Sequence, residues 1–213
     1  MPRKARIDLC GVASAKTYAP GALRHIIVRG INRSKIFFDD ADRDAFLDRL
    51  GGILSDSKTA CFAWAFMTNH LHLLLRTGAA PIATIMRRLL TGYAVSFNRR
   101  HRRHGHLFQN RYQSILCQED PYLLELVRYI HLNPLRAGIV EELKGLATYP
   151  YCGHYALMGK TEPGFQDVGY ILNLFGGKVL EARRHYLEFV KQGVAAGRRP
   201  DLTGGGLVRS AGG

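Results

Sequence analysis

The pattern of apolar and polar residues divides the first two thirds of the chain into alternating strands and helices. Alternating or continuous apolar stretches predict four strands, over 24–32, 61–67, 70–76 and 111–117. Apolar residues recur every three to four positions after Asp39 and again over 82–97, which predicts two helices. Asp39 and Asp40 are candidate N-caps of the first helix, and Pro81 suits the first turn of the second. A further helical pattern over 121–138 completes the order βαββαβα, so we expect an α+β fold.

The pattern weakens at both ends of the chain. Residues 1–23 have no clear period and are expected to form an N-terminal arm, which leaves 24–150 as the main domain. Residues 151–192 contain two short amphipathic patterns and are expected to form a C-terminal helical extension. The glycine-rich residues 193–213 are expected to be a disordered tail.

Positive charge is concentrated in the middle of the chain. The sequence has 30 Lys and Arg against 17 Asp and Glu, a formal net charge of +13, and contains no carboxylate between Asp56 and Glu119. A surface this basic favours a polyanionic partner, most simply nucleic acid. A cationic surface without a specific ligand is the alternative. The basic helix over 82–100 also resembles a membrane-surface or calmodulin-binding helix, but the adjacent strand pair without carboxylates fits DNA or RNA phosphate better.

The strand over 70–76 contains two histidines that share one face. Side chains two residues apart on a strand point the same way, so His70 and His72 lie together. Leu71, Leu73 and Leu75 then point into a core. Two adjacent imidazoles suggest a divalent metal site, and two hydrogen-bonded histidines on a half-buried strand are the alternative.

The helical pattern over 121–138 places polar residues at the edge of its apolar stripe. Tyr122, Tyr129 and Asn133 fall along one edge, and Tyr129 and Asn133 are four residues apart and therefore neighbours on the helix surface. Asn133 precedes Pro134, which predicts a helix end or kink there. On the alternative interpretation, Tyr129 is a boundary tyrosine and Asn133 merely ends the helix.

Cysteine spacing and hydropathy favour a cytoplasmic protein. The four cysteines are scattered and form neither a C-x-x-C motif nor a disulfide pattern, which predicts buried free thiols in a reducing compartment. No apolar segment approaches the length that spans a membrane, and the N-terminus lacks the apolar core of a signal peptide. We therefore expect no membrane association.

Three sequence blocks stand out in their order and spacing: Met67–Leu75 (MTNHLHLLL), Tyr93–Arg111 with its NRRH and GHLFQNR segments, and Tyr129–Pro134 (YIHLNP). They resemble the REP-associated tyrosine transposases, which are IS200-like members of the single-tyrosine HUH transposases. Together they span roughly residues 24–150. The resemblance implies a ferredoxin-like antiparallel sheet backed by helices, which agrees with the predicted element order.

The resemblance also implies a chemistry and the residues that perform it. His70, His72 and Asn133 would bind Mg²⁺ or Mn²⁺, and Tyr129 would attack single-stranded DNA at a hairpin to give a 5′-phosphotyrosine. The chain would then be a metal-dependent DNA nicking and joining transposase. Tyr93 is the second candidate nucleophile, but its place on the apolar face of the basic helix favours core packing.

The expected partner is single-stranded or hairpin DNA, with no small-molecule substrate. The residues expected to contact it are Arg87, Arg88, Arg99, Arg100, Arg102, Arg103 and Arg111. The alternative function is a non-catalytic protein on the same fold that binds hairpin DNA or RNA by charge and stacking. Both a monomer and a homodimer are compatible with the sequence.

Overall fold

A computed structural model describes residues 21–117 and 119–195, apart from the side chains of 119–121. Residues 1–20 of the predicted arm and residues 196–213 of the predicted tail lie outside the described residues. The structures predicted for these two end segments are therefore not tested.

One antiparallel sheet of four strands forms the centre of the protein. The strands are β1 (Leu23–Arg29), β2 (Ala60–Phe66), β3 (His70–Arg76) and β4 (Gln113–Cys117). Their order across the sheet is β2-β3-β1-β4, so β1 and β3 are central and β2 and β4 are the edges. β1 pairs with β3 from Leu23 opposite Arg76 to Arg29 opposite His70. This order confirms the predicted α+β, ferredoxin-like fold.

Besides a short 3₁₀ helix at Ile31–Arg33, eight α-helices connect and cover the strands within the described residues. They are α1 (Asp40–Asp56), α2 (Ile82–Arg100), α3 (Glu119–His131), α4 (Asn133–Arg136), α5 (Leu143–Leu146), α6 (Gly153–Leu157), α7 (Val168–Asn173) and α8 (Val179–Ala195). The carboxylate of Asp39 accepts a hydrogen bond from the backbone N–H of Asp42 at 3.0 Å, so Asp39 is the N-cap of α1, as predicted. None of the helices in the described part of the chain is long and apolar enough to cross a membrane.

The two faces of the sheet carry different helices. On one face, α1 and α2 pack against Ile26, Val28, Leu71, Leu73 and Leu75, which are all buried. The predicted inward direction of the three β3 leucines is therefore confirmed. On the other face, α3 and the C-terminal helices pack against side chains that include Leu23, Phe62, Ala65 and Leu74. His70 and His72 belong to this second face because they alternate with the leucines.

Element boundaries differ from the predicted ones by a few residues. β1 begins at Leu23, inside the segment predicted to be an arm. α8 is 17 residues long rather than short, and it continues to Ala195, past the predicted start of the tail at 193. It continues because Gly193 is buried directly against the side chain of Arg128 on α3.

Three of the four cysteines are buried free thiols, as predicted, and Cys10 lies outside the described residues. Burial raises the pKa of the Cys117 thiol to about 11 and that of Cys152 to about 12. These thiols are therefore protonated and unreactive at neutral pH.

A buried polar network joins α3 to the C-terminal helices. The hydroxyl oxygen of Tyr186 on α8 lies 2.9 Å from Nδ1 of His131 on α3 and 2.7 Å from Nδ1 of His154 on α6. All three side chains are fully buried. Tyr186 has one hydroxyl proton, so it donates to one imidazole and accepts from the other. The network therefore fixes the end of α3 to the extension.

This network predicts that the protein loses stability in mild acid. Burial lowers the pKa of His154 from 6.5 to about 4, so between these values the unfolded chain binds a proton that the folded protein does not. The contribution of His154 to the free energy of unfolding is complete above pH 6.5 and is lost as the pH falls towards 4. From pH 7 to pH 5 we expect the free energy of unfolding to fall by about 2 kcal/mol on account of His154. Urea unfolding at the two pH values measures it.

The replacement of His154 with glutamine should reduce this pH dependence, whereas His185→Gln at an exposed position of α8 should not. Equal pH dependence in the wild type and His154→Gln would contradict the assignment.

Candidate functional site

The sheet face beneath α3 carries a cluster of histidines from β1 and β3. His72 is buried, and its Nδ1 lies 2.8 Å from Nε2 of His25. The two rings stack with centroids 5.1 Å apart. The ring of His70 stands edge-on to His72 at 5.4 Å. The predicted pairing of His70 and His72 on one face is therefore present, with His25 added from the neighbouring strand.

His70 is held by its sequence neighbour. Its Nδ1 lies 2.7 Å from Oδ1 of Asn69, and Nδ2 of Asn69 donates to the backbone carbonyl of Arg33 at 3.0 Å. Because the Arg33 carbonyl fixes the amide orientation, Oδ1 faces His70 and accepts the proton on Nδ1. The Nε2 atom of His70 then keeps a free lone pair.

Tyr129 lies against the histidine cluster. Its ring centroid is 5.9 Å from that of His72 and 6.0 Å from that of His25, both edge-on. The side chain is 8% exposed, so packing holds it at the border between core and solvent. The guanidinium carbon of Arg136 lies 5.3 Å from the centre of the Tyr129 ring. The helix edge predicted for Tyr129 thus faces His72, one of the two candidate metal ligands, and His25 beside it.

Asn133 begins α4, one turn after Tyr129. The backbone leaves α3 at His131, as the predicted break before Pro134 requires, since proline has no N–H to continue the helix. Asn133 is 8% exposed, and its buried Nδ2 has no hydrogen-bond partner among the described residues. Rotation of the amide by 180° would present its oxygen at that position instead. Among the described residues, Nδ2 has no hydrogen bond that this rotation would break. Asn133 can therefore present its oxygen as a ligand.

The surroundings of His70 and His72 keep these two imidazoles neutral. Burial, and then the charge of Arg29, lower the pKa of His70 to about 4. Burial also holds the pKa of His72 well below its usual range, with further contributions from His25, His70 and Arg29. Neutral imidazoles are the form that binds metal ions.

The donor set fits a divalent cation only if an amide takes part. Within residues 21–117 and 119–195, no three His, Cys, Asp or Glu side chains are arranged to hold one ion. A third protein ligand to a site built on His70 and His72 would therefore be of another type, and the predicted third ligand, Asn133, is an amide. Nitrogen and neutral oxygen ligands are compatible with Mn²⁺ and, with bound water and phosphate, Mg²⁺.

The loop between α2 and β4 brings positive charge to the same end of the sheet. The backbone N–H of Gln109 donates to the carbonyl of Arg29 at 2.8 Å, and that of Ile31 donates to the carbonyl of Leu107 at 3.0 Å. Arg29 is exposed and lies opposite His70 in the β-sheet register. The loop and its flanks carry the exposed side chains of Arg99, Arg102 and Arg111.

The other predicted DNA-contacting arginines have different surroundings. Arg100 forms a bidentate ion pair with Asp39 at 2.7 Å and a second ion pair with Asp42. Arg103 is half-buried, and its guanidinium carbon lies 5.6 Å from the ring centre of Phe97.

Arg87 and Arg88 are exposed on α2, on the sheet face opposite the histidines. Arg88 pairs with Asp56 at 3.0 Å. Asp56 ends α1 just before β2 begins, at the sheet end away from His70. The structure thus does not bring Arg87 and Arg88 to the candidate site.

Tyr93 is a core residue. Its hydroxyl donates to the backbone carbonyl of Ile36 at 2.6 Å, and its side chain is 2% exposed among Phe37, Phe46 and Phe97. It lies on the sheet face opposite the histidines. The expectation that Tyr93 serves packing is confirmed.

Sequence reasoning missed four residues at this site: His25, Arg29, Asn69 and Arg136. His25 and Arg29 alternate with Ile26 and Val28 on β1, so the period of two that predicted the strand also placed them on the opposite face. No comparable pattern indicated the contact between Arg136 and Tyr129, because it depends on the turn at Pro134.

The chain resembles known proteins in sequence and in fold. Residues 21–133, just over half of the chain, match the sequence family described as "Transposase IS200 like". No curated protein matches the chain in sequence. Among solved structures, a REP-associated tyrosine transposase bound to a REP hairpin is 16% identical with a TM-score of 0.55, covering 77% of this chain and 90% of the other. A transposase candidate from Deinococcus radiodurans is 19% identical with a TM-score of 0.39, covering 62% and 95%.

Proposed function

The chain belongs to the IS200-like transposase family, and on that premise we propose that it cleaves and rejoins single-stranded DNA at hairpins through a 5′-phosphotyrosine on Tyr129. The single observation that carries this proposal is the position of Tyr129. Its ring lies 5.9 Å from that of His72, on the sheet face that also carries His70. A tyrosine that only packed would not need the neutral imidazole of His72 beside it, nor a nearby amide whose buried Nδ2 has no hydrogen-bond partner among the described residues.

His70, His72 and Asn133 would hold the divalent metal. Mg²⁺ or Mn²⁺ bound there would supply Lewis-acid stabilisation of the scissile phosphate. The three ligands are uncharged, so they leave the charge of the ion for the phosphate oxygens. Asn69 would support this site by keeping the Nδ1 proton of His70 in a hydrogen bond, so that Nε2 remains available.

Tyr129 would be the nucleophile. Its hydroxyl oxygen attacks the phosphorus, its proton passes to solvent, and the bond to the 3′ oxygen breaks as that oxygen takes up a proton. The products are a 5′-phosphotyrosine and a free 3′-OH, and attack by a 3′-OH reverses the step. A free tyrosine is only about 0.1% ionised at neutral pH. The guanidinium of Arg136 beside the ring places a positive charge next to the attacking residue.

DNA would approach from the basic loop between α2 and β4. Arg99, Arg102 and Arg111 are exposed there, and Arg29 links the loop to His70. We assign phosphate contacts to these four residues and to Arg103. Arg100 would act mainly by holding the end of α2 to the start of α1, since Asp39 and Asp42 already neutralise it. Arg87 and Arg88 would contact only DNA that extends around the back of the sheet.

The proposal that the DNA substrate is a hairpin is supported by the fold similarity to the hairpin-bound transposase.

A 3′-labelled single-stranded hairpin from the DNA that flanks the gene should give a protein-linked fragment with Mn²⁺ or Mg²⁺, and none with EDTA. Tyr129→Phe should abolish this product, whereas Tyr122→Phe, two turns earlier on α3, should retain it. Tight binding without any covalent product in either metal would instead favour the non-catalytic hairpin-binding function.

A further inference from the structure

His25 is a buried polar residue in the middle of β1. It is completely buried, and Leu23, Ile26 and Ile27 around it are buried as well. A buried imidazole costs free energy unless its polar atoms are hydrogen-bonded. The 2.8 Å contact between Nε2 of His25 and Nδ1 of His72 satisfies this requirement for one atom of each ring.

We propose that His25 is a positioning residue for His72, which it holds in the tautomer that leaves Nε2 free for a divalent cation. Only one proton lies between the two nitrogens. If His72 donates it from Nδ1, the Nε2 atom of His72 keeps its lone pair. This inference rests on the proposed function, because it assigns a purpose to that lone pair.

His70 has the same arrangement with a different partner. Its Nδ1 is engaged by Oδ1 of Asn69, whose orientation the Arg33 carbonyl fixes. Both candidate ligands therefore use Nδ1 for a protein contact and retain Nε2. A hydrogen bond of this kind orients a ligating histidine and raises its basicity.

His25 is not itself suited to be a third ligand. Its Nε2 is already engaged by His72. In the described part of the chain, no three His, Cys, Asp or Glu side chains have the arrangement of a metal site, and this includes His25, His70 and His72. Its edge-on contact with Tyr129, with ring centroids 6.0 Å apart, gives it a second role in packing the nucleophile.

The tautomer can be measured without metal or DNA. Long-range ¹H–¹⁵N spectra of the histidine-labelled full-length protein at neutral pH should show His72 protonated on Nδ1. Protonation of His72 on Nε2 would overturn the proposal, since His25 would then be the donor. This measurement needs no variant, so it remains decisive if substitutions at His25 impair folding.

Two substitutions at His25 test the effect on metal binding. His25→Phe keeps a ring but removes the acceptor and should weaken Mn²⁺ binding about 10- to 100-fold, measured by electron paramagnetic resonance. His25→Gln keeps an acceptor and should bind Mn²⁺ clearly more tightly than His25→Phe. Thermal unfolding of both variants checks that they fold.

The outcomes separate this inference from the proposed function. Wild-type protein that binds Mn²⁺ and cleaves DNA, with His25→Phe binding Mn²⁺ equally well, would overturn the role of His25 alone. Wild-type protein that neither binds Mn²⁺ nor cleaves would overturn both.

Discussion

Replacement of His72 with alanine should abolish metal-dependent DNA cleavage. His72 is the most central group of the cluster, since its ring contacts those of His25, His70 and Tyr129. Its loss removes one of three proposed ligands and the partner of His25. Lewis-acid stabilisation is worth several kcal/mol, and 1.36 kcal/mol is tenfold in rate, so we expect a fall of about a thousandfold. Single-turnover cleavage of the labelled hairpin in Mn²⁺ measures it.

A matched control separates loss of the metal from a general effect of removing an imidazole. His185→Ala removes an exposed histidine from α8 and should cleave like the wild type. Mn²⁺ binding by His72→Ala should fall together with cleavage while the variant remains folded. Full metal-dependent cleavage by a folded His72→Ala protein would contradict the assignment of His72 as a ligand.

Removal of the C-terminal helices should unfold the protein. A chain ending at residue 150 lacks α6, α7 and α8, which share one core with α3 and β2. The large buried side chains lost with them are Leu157, Ile171, Leu172, Tyr186 and Val190. Burial of such side chains contributes about 2 kcal/mol each, so the sum of about 10 kcal/mol approaches the total stability of a typical domain. Loss of cooperative thermal unfolding, followed by circular dichroism, would show the effect.

The control is a chain that ends at Ala195, which keeps every core contact of α8 that the structure describes. It should unfold cooperatively at a temperature close to that of the full chain. If residues 1–150 folded as stably as this control, the C-terminal helices would be an independent appendage rather than part of the core.

Much of the fold could be predicted because its local patterns are strong. The alternation of histidine and leucine on β3 is sufficient to place His70 and His72 on one face of the sheet. Pro134 predicted the break that starts α4 at Asn133. These features depend on neighbours in sequence, which is why a single sequence reveals them.

The part of the candidate site that the sequence did not predict depends on strand pairing. His25 and His72 are 47 residues apart, and their contact exists only because β1 pairs with β3 in one particular register.

The same limit applies to the prediction of which basic residues contact DNA. A count of arginines treats Arg99 and Arg100 alike, but only Arg100 meets Asp39 and Asp42, which lie far away in sequence. Charge composition predicts a polyanion, whereas the fold decides which cations remain available.

The C-terminal helices illustrate a third limit. Their amphipathic pattern predicted helices but not the surface they cover, because any apolar stripe can pack on any apolar face. The contact of Tyr186 with both His131 and His154 shows that they brace the segment between Tyr129 and Asn133.

The central claim is that Tyr129 forms the covalent bond to DNA, and peptide mapping of the trapped adduct tests it most directly. Trypsin cuts after Arg128 and Arg136, which releases residues 129–136 with Tyr129 as their single tyrosine. Tyr93 and Tyr122 fall on different tryptic peptides. After nuclease digestion, mass spectrometry should find a nucleotide on 129–136 in the wild type and no adduct in Tyr129→Phe. An adduct on the peptide of Tyr93 or Tyr122, or one that persists in Tyr129→Phe, would contradict the account.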